Sequence, residues 1–159
     1  MPRLKIIPLV LSTGVCFLAA GVGSAFTTGA IDTWYATLNK PFFSPPNWIF
    51  GPVWTLLYLL MGISLYLVWV TKTEKKAKRQ GITFFFIQLT LNALWSILFF
   101  GLKSPTAAFI GIIALWLAIF LTIKNFLPIS KAAGWLLIPY IVWVSFASVL
   151  NLSVVLLNR

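Results

Sequence analysis

Asp32 and Glu74 are the only acidic residues in this chain of 159, and histidine is absent. Hydrolytic and general acid–base mechanisms therefore lose the groups they usually employ. The single cysteine, Cys16, has no intrachain partner, and no Cys/His spacing matches a metal site, so Cys16 reads as a small buried packing residue and no metal is expected. Haem iron would lack a histidine ligand, and neither Cys16, Met61 nor the tyrosines have a supporting pattern. What the chain does supply is indole, phenol and amide. Trp54, Tyr58 and Met61 stand at i, i+4 and i+7, continued by Gly62 and Leu65; Gln88, Asn92, Trp95 and Phe99 stand at i, i+4, i+7 and i+11, with Ser96 alongside; Tyr140, Trp143, Ala147 and Asn151 stand at i, i+3, i+7 and i+11. On helices, each set shares one face. Such faces stack on flat apolar surfaces and offer a few fixed hydrogen bonds, which is the chemistry of binding rather than of bond cleavage.

The elements carrying these faces are membrane-length apolar runs, at roughly Ile6 to Phe26, Pro52 to Val70, Ile82 to Leu102, Ala107 to Ile123 and Ala132 to Leu157. Hydrophobic residues make up 60% of the chain and charged residues 9%, far from soluble averages. The alternating pattern of a transmembrane β-barrel is missing. The expected fold is an all-α membrane protein, a single five-transmembrane-helix bundle over residues 1–159. The N-terminal run resembles a secretory signal in having Arg3, Lys5 and small residues near Gly23, but the same small residues, paired as Ala19 with Gly23 and Ala20 with Ser24, suit close helix packing, and the run is read as a retained first helix.

With that span count, Arg3, Lys5, Lys72, Lys75, Lys76, Lys78, Arg79, Lys124 and Lys131 share one side, against Lys40, Lys103 and Arg159 on the other. This bias places the N-terminus inside and the C-terminus outside. The net charge of +10 is accounted for by topology and contact with anionic membrane lipids, and no nucleic-acid partner is expected. No span contains an ionisable group of the kind that couples ion-driven transport.

Aromatic stripes at helical spacing serve core packing as well as ligand sites, and Asn92 can simply join helices. The alternative is a cavity, because three faces bearing indoles hold helices apart where Gly, Ala and Ser would draw them together. Trp116 sits on an otherwise aliphatic fourth span, read as a packing or dimer helix. Pro139 is expected to bend the fifth. Between the first two spans, Lys40-Pro41 and Pro45-Pro46 stiffen a loop that forms a candidate lid, with Asn47 as the expected cap of the next helix and Trp34 and Trp48 as interfacial belt residues.

The order Trp34-Tyr35-x-x-Leu38-x-Lys40-Pro41-x-x-x-Pro45-Pro46-x-Trp48-x-Phe50-x-x-Val53-Trp54-x-x-Leu57-Tyr58-x-x-Met61-Gly62, then Leu91-Asn92-x-x-Trp95-x-x-Leu98-Phe99-Phe100-Gly101, then Pro139-Tyr140-x-x-Trp143-x-x-Phe146-Ala147-x-x-Leu150-Asn151, closely resembles the translocator protein family, also called the tryptophan-rich sensory protein, TspO/MBR or peripheral-type benzodiazepine receptor family. The resemblance implies a five-helix bundle, commonly a homodimer, with a pocket beneath the first loop for porphyrins, sterols in animal members, and synthetic isoquinoline carboxamides or benzodiazepines. Span one, with its small residues, and span three, flanked by Gly81 and Gly101, are the candidate dimer faces.

By motif match, the implied ligand-binding residues are Tyr35, Pro45, Trp54, Tyr58, Asn92, Trp95, Trp143, Ala147 and Leu150. A protoporphyrin or related tetrapyrrole is the expected ligand, with no obligatory cofactor and with Lys40 as a contact for a propionate. The leading expectation is a tetrapyrrole-binding sensor or regulator. Two alternatives stand beside it: light- and oxygen-dependent porphyrin degradation, for which the resemblance implicates Trp54 and Trp143 as the only catalytic candidates, and facilitated porphyrin or sterol transport. Animal members carry a tyrosine and an arginine late in the last helix, where this chain has Leu152, Ser153, Val154 and Val155; a loose Leu60-x5-Tyr66-x5-Lys72 pattern does not replace them. High-affinity cholesterol handling is therefore not expected, and the bacterial cytoplasmic membrane is the expected location.

Overall fold

The computed structural model describes residues 5–159 and is helical almost throughout. Arg3, assigned above to the basic side, lies outside the described residues. Helix α1 covers Ile6–Ala30 and continues through a π-helical turn, Ile31–Tyr35. Helix α2 is Asn47–Val70, and α3 is Lys75–Ser96, also extended by a π-helical turn, Ile97–Gly101. Helix α4 is Pro105–Phe126, α5 is the short Lys131–Leu136, and α6 is Ile138–Leu157. Counting α1 and α3 with their π turns and α5 with α6, five segments of 22 to 30 residues are long and apolar enough to cross a bilayer. This is the multi-pass bundle that the composition requires.

Several boundaries differ from the sequence reading for local reasons. Helix α1 runs past Phe26 because Thr27, Thr28 and Thr33 turn their hydroxyls back onto the carbonyls of Gly23, Ser24 and Gly29, which keeps polar residues compatible with a helix. Asn47 does not cap α2: it is the first helical residue, Pro46 precedes it, and no side-chain cap forms. Pro139 does more than bend the last span. The helix breaks at Leu137 and restarts, and Pro139 occupies the first turn of α6, where its missing N–H is no loss. Ser104 and Ser130 cap α4 and α5 by accepting from the backbone N–H of Ala107 and Ala133.

Close approaches are set by small residues. A Cβ at Gly62 would stand 2.7 Å from the Thr13 Cα, so α1 and α2 touch backbone to side chain at that level. Gly81 receives the Phe126 ring, which stacks on Phe85 at 5.8 Å, and Gly101 receives Phe26. Both of these third-span glycines, Gly81 within α3 and Gly101 at the end of its π turn, are thus filled from within the chain. The main core gathers Cys16, Met61, Leu65, Phe85, Phe126, Tyr140 and Val144. A smaller cluster of Tyr35, Phe99, Ala108 and Val154 sits toward the opposite end, and Trp95 packs against both. The space between these clusters is where the candidate site lies.

Candidate functional site

The cavity is built from the helix faces upward. Trp54 and Tyr58 project from α2, their rings 5.8 Å apart, and Trp54 meets Tyr140 edge-on at 6.2 Å. Tyr58 donates its hydroxyl to Asn92 Oδ1, and Asn92 Nδ2 donates to the Tyr140 hydroxyl at 2.8 Å, tying α2, α3 and α6 through one buried amide. Trp95 Nε1 donates to Asn151 Oδ1 at 3.1 Å, and Asn151 Nδ2 donates to the Pro105 carbonyl at 2.8 Å. The two amides therefore hold the walls at fixed separation and leave little unspent polarity, which suits an apolar guest.

Both π-helical turns serve the upper wall. They place Tyr35 within 6.1 Å of Phe99 and 5.8 Å of Phe100, and Trp95 stacks on Phe99 at 5.4 Å. Such turns recur where a helix must aim a side chain that regular geometry would misdirect. The cavity volume is about 580 Å³, a size in the usual range for small-molecule sites.

Of the residues singled out by motif, Tyr35, Trp54, Tyr58, Asn92, Trp95, Trp143, Ala147 and Leu150 line this one cavity. Pro45 and Lys40 do not line it. Lys40 Nζ donates to the Tyr35 carbonyl at 2.9 Å and lies 4.6 Å from the centre of the Tyr35 ring, so the ammonium fastens the start of the loop to the end of the first span. The loop is also tied to α6: the Asn39 backbone N–H donates to Asn158 Oδ1 and Asn158 Nδ2 donates to the Asn39 carbonyl, both at 2.9 Å. Trp143 packs on Phe50 and Phe146, and its buried indole N–H has no partner in the structure.

A whole wall escaped the sequence reading. Phe17, Ala20, Gly21, Ser24 and Thr28 of α1 line the cavity, although that helix carries no aromatic-plus-amide stripe. Its signal was the run of small residues, read only as a packing device; on the cavity side, the same smallness leaves volume. Trp48, read as a belt residue, is 74% exposed and also stands at the cavity edge. Trp34 packs against Phe99 at 5.6 Å. Trp116 faces away from the site and donates to Ser145 at 2.8 Å, joining α4 to α6.

The profile of the TspO/MBR family matches residues 12–157. This chain belongs to the TspO/MBR family. It is 48% identical over 155 residues to the tryptophan-rich protein TspO of Archaeoglobus fulgidus, covering 98% of this chain and 99% of that one. The tryptophan-rich sensory protein of Cereibacter sphaeroides is 37% identical over 145 residues, 89% of each chain, and the human translocator protein is 38% identical over 140 residues, 86% of this chain and 82% of its own. Membership fixes the class as a membrane protein of the sensory and translocator type, and the matches run through every helix that walls the cavity.

Proposed function

We propose that this TspO/MBR member is an integral-membrane tetrapyrrole-binding sensor or regulator, present as a homodimer in the cytoplasmic membrane, whose site is the cavity between α1, α2, α3 and α6. The observation that carries this reading is the convergence of Trp54, Trp95 and Trp143 on one cavity of about 580 Å³ with no charged side chain among its lining. A macrocycle supplies the broad flat surface that such indoles can stack against. Carboxylates belong at its edge, where water is near. Lys40 contributes there if its third ammonium proton, the two others being directed at the Tyr35 and Leu38 carbonyls, meets a propionate. The same walls suit planar isoquinoline carboxamide-type ligands.

Titration with protoporphyrin in the dark, followed by tryptophan fluorescence, tests the site. Saturable quenching is expected, and the combined Trp54→Phe, Trp143→Phe variant should bind at least about tenfold more weakly, the scale of losing one or two aromatic contacts. Unchanged quenching in that variant would sink the assignment. The presence of the Trp54 and Trp143 indoles in the lining also favours a second reading, oxidation of bound porphyrin by oxygen in light. It requires an oxygen-dependent absorbing product that the double variant fails to form under illumination even at saturating porphyrin.

A further inference from the structure

We propose that the cavity exchanges its ligand with the bilayer, through a cleft between α1 and the N-terminal half of α2, and so takes planar molecules already dissolved in lipid. The proposal rests on the reading of this cavity as a ligand site and adds the route and physical state of what enters. Each other seam of the cavity is closed by a named contact. Toward α3, Gly23 lies against Ser96 and Gly101 against Phe26. Between α3 and α6 the Trp95 to Asn151 hydrogen bond spans the gap. Between α2 and α6 the gap is filled by Phe50 on Trp143 at 6.0 Å, and by Phe43 of the first loop on Phe146 at 6.3 Å. Beyond them, the loop is tied down by Lys40 and by the Asn39 and Asn158 pair.

The α1 and α2 seam behaves differently along its length. It is tight where Gly62 meets Thr13, and Phe17 still approaches Tyr58 at 6.5 Å. One helical turn further along α1, at Gly21, and toward the start of α2, at Gly51, an added Cβ would meet nothing within 4 Å. Both positions face open space. The exposed cleft edges include Gly21, Ser24 and Thr28 on one side and Gly51 and Thr55 on the other, with the larger Phe17 and Trp48 exposed on the same two helix faces, and all of them also line the cavity, so the opening and the cavity are one space. The remainder of α1 presents large residues outward, among them Ile7, Leu11, Leu18 and Val22. Thr28 and Thr55 spend their hydroxyls on the carbonyls of Ser24 and Gly51, at 2.8 and 2.9 Å. Where the edge hydroxyls are spent within their own helix, as at Thr28 and Thr55, apolar rings pass without desolvating those donors. Thr55 lies about 12 Å along the helix from the start of α2, which sets the cleft within the hydrocarbon rather than at the headgroups.

A ligand-independent measurement decides the route first. With Cys16→Ala as background, a nitroxide at Ser24→Cys or Thr55→Cys in liposomes should collide readily with oxygen and poorly with a water-soluble nickel chelate, matching a lipid-facing control at Leu18→Cys and opposing one at Asn39→Cys. Nickel-accessible labels at Ser24 and Thr55 would overturn the proposal. Protoporphyrin delivered from donor vesicles then reads the exchange: Gly21→Leu with Gly51→Leu, which fills open space, should slow association by about tenfold or more, whereas releasing the loop by Asn39→Ala with Asn158→Ala should leave it within about twofold. Unchanged association in the cleft variant, with acceleration in the loop variant, would overturn it as well. Failure of the wild-type protein to bind porphyrin would remove the proposed function, while the nitroxide result still decides whether the cleft opens to lipid.

Discussion

Asn92 is the residue on which the site turns. Its amide accepts from Tyr58 and donates to Tyr140, so its removal leaves two buried phenols without a partner. Polar contacts between membrane helices average about 0.6 kcal/mol, whereas an orphaned buried group costs about 1–3 kcal/mol. Tyr140→Phe should therefore be tolerated better than Asn92→Leu, with unfolding in mixed detergent as the measurement. The tryptophans divide in the same way. Trp95 donates to Asn151, while the Trp143 indole N–H is buried without a partner. Trp95→Phe should lower stability by about 1 kcal/mol more than Trp143→Phe, because only the first leaves an amide oxygen unpaired. Equal losses would mean that the Trp95 bond contributes nothing in the folded protein.

At the level of helices, closeness and separation are written in glycine. Gly62 has the Thr13 backbone against it, and Gly62→Ala should force α1 from α2 at a cost of about 1–3 kcal/mol. Gly51 sits in the same helix in open space, and Gly51→Ala should be neutral or stabilising by up to about 1 kcal/mol, since alanine is the better helix former. Thermal unfolding of the two variants side by side checks the contrast, and a Gly62→Ala as stable as the parent would contradict the packing described. The π-helical turns ending the first and third spans lie at the same end of the bundle and bring Tyr35 against Phe99 and Phe100. Neither turn has a sequence signature as plain as the break before Pro139.

For the molecule as a whole, charge and contact describe one polarity. The backbone N–H of Lys5 donates to the Tyr66 hydroxyl, so the start of α1 lies beside the end of α2 and the basic connection after it. Asn39 and Asn158 join at the opposite end. The excess of Lys and Arg at the first end leads us to expect that end in the cytoplasm. In intact cells, a membrane-impermeant thiol reagent should label Lys103→Cys and not Lys76→Cys, each in a Cys16→Ala background; the reverse pattern would invert the assignment. The cleft between α1 and α2 would then open to the outer leaflet.

What the residues determine alone is periodic and local. Apolar length gives the five spans, and spacing aligns Trp54 with Tyr58, Asn92 with Trp95, and Trp143 with Ala147, because a helix converts sequence separation into a face without help from the rest of the chain. What the tertiary structure decides is distance between helices. Only there does α1 become a wall, since its small residues favour contact at Thr13 and leave space at Gly21 according to what stands opposite. Only there is Lys40 committed to the Tyr35 carbonyl, Asn92 to two phenols and Trp48 to the cavity edge. Periodicity can show which side chains share a face, but whether that face meets another helix, a cavity or lipid depends on packing between segments far apart in sequence.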